Sequence, residues 1–388
     1  MVHEDVRPSR RGFLRTAGAV AAGWAFSDPL PLAADPSSQP PVFADVGIAR
    51  GSNMEEAVRR AVALAGGVDF VKEGHTVLIK PNATGAVKNP TTTNPEVLYA
   101  VIKLVSERGP KRILVADRSF SIQFTETNPK TIDVMKAVGH LDAVNQAIRD
   151  VKAPVVAVGL EDAAAEFEKL GKPRDTPHWR RIKPERAAHW PEGFELAELL
   201  FAVDHVINVP VIKTHFQAWF TMAMKSFVGM SHHRSRREFH GTYKGEGGLF
   251  DQMRKNSRRR GVKRDPAEEN AEVYPFVARI AELNLGFQPA LNILDGARSF
   301  VFGGPSHGDT AEGKLIVASR DRIAADATGV AVLRFLGTED RLARRSPWEV
   351  PFIQHGIKIG LGIDSVKKLR LRQEGLDTEI EGIKKLLA

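Results

Sequence analysis

Cysteine is absent from all 388 residues. That absence removes disulfides, thiolate zinc sites, thiol nucleophiles and the usual ligands of iron–sulfur clusters, so no protein-ligated cluster is expected and the identity of any cofactor is left unknown. Chemistry must come from His, Lys, Asp, Glu or Ser. No apolar run approaches the ~20 residues needed to cross a bilayer, so no integral membrane segment is expected in the mature chain. Neither a P-loop nor an H-E-x-x-H pair occurs, which removes the motif support for Walker-type nucleotide binding and a zincin-type metal centre. With 43% apolar and 26% charged residues, the chain is neither collagenous, coiled-coil nor disordered. Its length suits two average domains or one large α/β domain with insertions, and either buries a full core.

What is present begins with an address. Ser9-Arg10-Arg11-Gly12-Phe13-Leu14-Arg15 matches the twin-arginine export pattern, and the short Ala/Gly-rich segment from Thr16 to Phe26 suits a signal h-region. Residues 1–34 are therefore expected to be a twin-arginine signal peptide cleaved between Ser27 and Asp35, followed by a linker over 35–41 that contains Pro36-Ser37-Ser38-Gln39-Pro40-Pro41. The expected partner in export is the twin-arginine translocase and the expected location is the periplasm. The formal charge of +8 falls only to about +7 in the mature chain, so the basicity belongs to the folded part.

From residue 42 onward, short apolar runs alternate with amphipathic stretches. Strands are predicted at 77–79, 113–116, 155–158, 205–209, 291–294 and 315–318, with helices near 53–66, after Asn94-Pro95, and near 129–149, 217–228, 266–285 and 321–336. A cap followed by proline marks the start of the second helix. This alternation predicts an α/β fold: a mostly parallel or mixed sheet flanked by helices, formed by one domain over 42–375 with a C-terminal helix over 376–388. Residues 160–195 and 231–265, rich in Arg, His, Pro and Gly, read as loop-rich insertions over the strand carboxyl edge.

The places where strands stop carry the functional signal. Val77-Leu78-Ile79 runs into Lys80-Pro81-Asn82, the 113–116 strand into Asp117, the 205–209 strand into Lys213-Thr214-His215, and the 291–294 strand into Asp295. Ligands of open α/β sheets bind outside the carboxyl ends of the strands, so these residues are expected to share one edge. Polar strand ends are common; four in one chain point to a site. Lys225 lies in the apolar stretch from Gln217 to Met230, where a lysine must snorkel, find an anion or shift toward neutrality. Thr221, one turn earlier if the segment is helical, would share its face and could help hold a carboxylate or phosphate. Pairing of Lys225 with Asp117 or Asp295 is the structural alternative.

These segments, in order, resemble the domain-of-unknown-function 362 family: Val77–Asn82, Asn94-Pro95-Glu96-Val97 after a threonine-rich stretch, Ile207–His215, Thr221–Gly229, Leu294-Asp295-Gly296 and Ala325-Asp326-Ala327. The resemblance covers roughly residues 42–375 and implies an α/β fold with recurrent Lys, His, Asn and Asp positions, Asp326 among them, but no activity. Many relatives carry a cysteine-rich ferredoxin-like segment, which this chain lacks. Ser226 stands where the family pattern usually has asparagine after the lysine.

The reading that follows is an exported enzyme acting on a small anionic metabolite. His215, Lys213 and Lys225 are the catalytic candidates, with His215 as general acid/base oriented by Asp117 or Asp295; Lys80, Asn82, Thr221, Asp117, Asp295 and Asp326 are expected to bind substrate. The alternative is a non-catalytic periplasmic ligand-binding or assembly protein that recognises an anion. His232, His233 and His240 could gather around a metal with His215, but their spacing matches no tight ligand motif, so no metal site is assigned. Gly241 to Gly248 could form a lid, and Arg254 to Arg264 forms a basic block. Without an aromatic–basic interleave or a known motif, no nucleic-acid partner is expected.

Overall fold

The computed structural model describes residues 43–120, 130–240, 266–338 and 341–388. The signal and linker segments, the candidate lid and the Arg254–Arg264 block lie outside these residues, as does the side chain of His240.

The strands are β1 (Ala44–Arg50), β2 (Thr76–Pro81), β3 (Arg112–Asp117), β4 (Val155–Gly159), β5 (Trp179–Ile182), β6 (Phe194–Ala197), β7 (His205–Val209), β8 (Lys213–His215), β9 (Trp219–Thr221), β10 (Leu291–Gly303), β11 (Gly308–Ser319) and β12 (Leu369–Glu374). Eight form one mixed sheet in the order β12-β1-β11-β10-β7-β2-β3-β4. β10, β7, β2, β3 and β4 run parallel, as do β12 and β1, while β11 lies antiparallel between β1 and β10.

Helices form α1 (Met54–Leu64), α2 (Pro95–Ser106), α3 (Thr131–Ala137), α4 (His140–Val151), α5 (Ala164–Lys169), α6 (Ala223–Ser226), α7 (His233–His240), α8 (Pro266–Leu283), α9 (Arg322–Phe335), α10 (Pro351–Lys358) and α11 (Ile380–Leu387). Strand periodicity sorts the core into two faces. Val77, Ile79, Ile113 and Val115 pack with α1, α2 and α4 on one side, and Leu78, Leu114, Leu294 and Val317 pack with α8 through α11 on the other. The result is a three-layer α/β/α arrangement. Asn53 and Asn94 start α1 and α2 by accepting backbone N–H bonds, with Pro95 in the first turn of α2, as the cap chemistry predicts.

Three elements differ from the sequence reading. The helix expected near 129–149 is two, α3 and α4, because Gly139 turns at φ 88°, a conformation glycine adopts readily. The strands expected at 291–294 and 315–318 extend into a long antiparallel hairpin that closes over Gly303–Gly308. The helix expected at 217–228 is replaced by the β8–β9 hairpin, the single turn α6 and a 3-10 turn over Phe227–Met230. An apolar run without a 3.6-residue stripe reports burial, not conformation. Here tertiary partners decide: Trp219 takes φ 71° beneath the Arg341 guanidinium, 3.8 Å from its ring centroid, and Arg341 also donates to the Gln217 carbonyl at 3.0 Å.

Candidate functional site

The strand order reverses between β2 and β7, whose continuations lead to opposite halves of the sheet. In open α/β folds such a reversal splays the connecting segments and leaves a crevice at the carboxyl ends. A cavity of about 390 Å³ opens there, lined by Lys80 at the end of β2 and Asn82 just after it, Asp117 at the end of β3 and Arg118 just after it, and Lys213 and His215 of β8. Thr221, Lys225, Ser226 and Gly229 close one wall, Arg236 of α7 another, and Gly304 to His307 a third. Seven of the nine expected residues are thus brought together.

The other two lie elsewhere. Asp295 is fully buried and accepts from the Asn94 backbone N–H at 2.8 Å, the Ala297 N–H at 3.0 Å and the Asn89 amide at 3.0 Å. It fixes the entry to α2. Asp326, on α9, accepts the Ala223 and Met224 N–H groups at 2.6 and 3.0 Å and so secures the start of α6. Burial raises the carboxyl pKa of Asp295 to about 6 and of Asp326 to about 7. Both position elements of the site without lining it.

Five cationic side chains, Lys80, Arg118, Lys213, Lys225 and Arg236, face the cavity against one carboxylate, Asp117. Lys80 Nζ pairs with Asp117 Oδ1 at 3.0 Å, while Asp117 Oδ2 accepts the Ala83 N–H at 2.7 Å. Burial lowers the Lys80 pKa although Asp117 opposes the shift. Lys213 donates to the carbonyls of Thr91 and Pro305. No hydrogen bond or ion pair holds Lys225 among the described residues. Burial first, then neighbouring cations, bring both of these lysines to a pKa of about 7, with Lys225 the chief cationic neighbour of Lys213, and Arg236 and Lys80 those of Lys225. Arg236 donates to the carbonyls of Ser119 and Arg118 at 3.0 and 2.9 Å, and burial lowers its pKa to about 9. Arg118 lies over the Trp179 ring at 4.9 Å.

Further polar atoms lack a partner among the described residues: the Gln217 amide, Thr221 Oγ1, Ser226 Oγ and Arg236 Nε are all buried without a hydrogen bond there. Such groups are costly to bury unsatisfied. All four side chains line the cavity, so their free capacity faces whatever occupies it.

His215 differs from the role expected of it. Its Nδ1 accepts the Gln217 and Ala218 backbone N–H groups at 3.1 and 3.0 Å, which assigns the neutral ring's hydrogen to Nε2. Neither Asp117 nor Asp295 orients it, because their oxygens are engaged at Ala83 and Lys80 and around Asn94. The imidazole is a fixed Nε2–H donor, since protonating Nδ1 would break both backbone bonds.

Residues 77–331 match the family described as Domain of unknown function (DUF362). The chain belongs to that family. It is also 24% identical over 265 residues to the thylakoid-associated protein sll1697 of Synechocystis sp. (strain ATCC 27184 / PCC 6803 / Kazusa), a match covering 68% of this chain and 64% of that protein's length. Every residue lining the cavity lies within the segment that matches DUF362. Arg118, Gln217, Ser226, Arg236 and His307 were not among the residues expected from sequence. The signal for Arg118 was its place directly after Asp117 at a strand end, and for Arg236 the Arg/His-rich run from Ser231 to His240. Gln217 and His307 depend on hairpin geometry, and Ser226 on the short turn α6, none of which periodicity encodes.

Proposed function

We propose that this DUF362 protein is an enzyme that takes a small anionic metabolite into the cavity and moves a proton at the carbon next to its carboxylate. The observation that carries the reading is the lining itself, five cations against one carboxylate, with Lys225 held by no hydrogen bond or ion pair among the described residues. A carboxylate or phosphate would satisfy Arg236 Nε and the open hydrogen-bond capacity of Gln217, Thr221 and Ser226. A lysine with a pKa of about 7 is about half neutral at pH 7 and competent as a base, where an ordinary lysine is not. Lys225 is the proposed base. Lys213 and the His215 Nε2–H would stabilise the enediolate-like oxyanion that forms, as preorganised donors in a dry site do.

The test is a thermal-shift screen of small mono- and dicarboxylates and phosphorylated acids, in which binding raises the melting temperature by mass action. Stabilising acids are then incubated in deuterium oxide. Exchange at the carbon next to the carboxylate is expected with wild type and is expected to fall by about 10²–10⁴-fold in Lys225→Met. Stabilisation without exchange would instead make the protein an anion-binding module.

The residues preceding the domain complete the proposal. The twin-arginine segment would direct export of the folded chain to the periplasm, with the translocase as a transient partner.

A further inference from the structure

Away from the cavity, three side chains meet at a point that the proposed chemistry does not use. Glu282 lies at the end of α8, His355 within α10, and His189 in the segment joining β5 to β6. The carboxylate of Glu282 is fully buried, His355 nearly so, and the His189 side chain keeps 31% of its surface exposed. Glu282 Oε1 lies 2.6 Å from His189 Nδ1 and 3.1 Å from His355 Nε2, and Oε2 accepts the backbone N–H of His189 at 2.9 Å. The two rings meet edge to face, 5.5 Å apart at 74°. The three candidate donor atoms all lie within 4.8 Å of one another.

Charge and direction together distinguish this cluster from an ordinary buried carboxylate. Among the described residues no lysine or arginine bonds to Glu282, so its charge is balanced by nothing except the two imidazoles. A buried carboxylate is costly unless paired with a cation. Both imidazole nitrogens converge on one oxygen while the other oxygen is occupied by a backbone N–H. Two nitrogens and one oxygen gathered within 4.8 Å of one another are the donor set of zinc and neighbouring divalent transition metals, which bind at roughly 2.0–2.2 Å from each. The Oε2 bond to His189 N–H would fix the carboxylate as a ligand through one oxygen, the kind of supporting contact that orients metal ligands.

We propose that His189, Glu282 and His355 form a binding site for a divalent transition-metal cation of the zinc type, with the exposed flank of His189 open to a fourth, solvent ligand. The site would tie α8 and α10 to the β5–β6 segment, joining parts of the chain 93 and 73 residues apart. None of the three residues lines the large cavity, so this proposal stands or falls independently of the enzymatic reading.

Full-length protein stripped with a chelator and dialysed is titrated with zinc by calorimetry and with cobalt(II) by visible absorption. Wild type is expected to bind one tight equivalent, to show the intense absorption of low-symmetry cobalt and to melt at a higher temperature with zinc present. Glu282→Gln and His189→Ala are each expected to weaken that equivalent by more than about 100-fold, since even contacts one step outside the ligands are worth roughly 10–100-fold. His189→Ala removes a partly exposed side chain and settles the matter should Glu282→Gln fail to fold. Folded, stripped wild type that binds no zinc at micromolar concentration overturns the site. Unchanged affinity in His189→Ala does so too, placing any bound zinc elsewhere, for example at His232 and His233.

Discussion

Lys225 concentrates the physics of the cavity in one side chain, because burial and the facing cations Arg236 and Lys80 lower its pKa from the ordinary 10.5 to about 7. Below pH 7 it is charged in both folded and unfolded states, and the folded state bears the full penalty. Between pH 7 and about 10.5 the unfolded chain binds more protons, so the penalty fades as pH rises. Lys225→Met is therefore expected to be more stable than wild type at pH 6, with the difference shrinking steadily toward pH 10 in denaturant titrations. A pH-independent difference would contradict the shift. Gly229 makes a second test, since a Cβ there would lie 2.2 Å from Asp117 Oδ1 and 2.7 Å from Lys80 Nζ. Gly229→Ala must push the buried ion pair apart and is expected to cost about 1–3 kcal/mol in chemical denaturation. Lys80, Asp117 and Lys213 were legible in the sequence because strand ends converge by rule. The tautomer of His215 was not, because it is set by backbone N–H groups two and three residues on.

At the scale of elements, the central strands and the capped helices follow from local pattern, while the segment after β7 does not. Its apolar residues are buried in a hairpin as they would be in a helix, and the choice between the two comes from distant groups. Asp326 on α9 binds the first N–H groups of α6, and Arg341 stacks on Trp219. A helix of four residues has no stability of its own. Asp326→Ala would leave two buried N–H groups unsatisfied, each worth about 1–3 kcal/mol. We expect a loss of a few kcal/mol in denaturant unfolding, and in a variant still folded at low temperature a weaker grip on any cavity ligand, because α6 carries Lys225. Asp295→Ala should act similarly through α2, raising the apparent Kd of the same ligand without touching it. If both variants kept wild-type stability and affinity, the two carboxylates would not be the positioning groups that their bonds describe.

For the whole molecule, the three-layer core accounts for burial on both sheet faces without disulfides, and the cavity sits where the strand order reverses between β2 and β7. That much of the architecture was legible because parallel strands buried on both faces read as continuous apolar runs. The outer strands β1 and β12 were not, since Leu369–Glu374 alternates with charge and pairs only after the chain returns from the far end of the sequence. A self-contained core is also what a translocon for folded cargo requires. If residues 1–34 direct export, replacing Arg10 and Arg11 by lysine should leave the protein full-length in the cytoplasm, while wild type appears in the periplasm shortened by roughly the expected leader. The two forms should melt at nearly the same temperature if residues 1–34 are a leader and not part of the domain. Periplasmic wild-type and variant protein in equal amounts, judged by fractionation and intact mass, would remove the twin-arginine reading, and wild type kept full-length in the cytoplasm would remove export and leave the cavity chemistry to be sought among cytoplasmic metabolites.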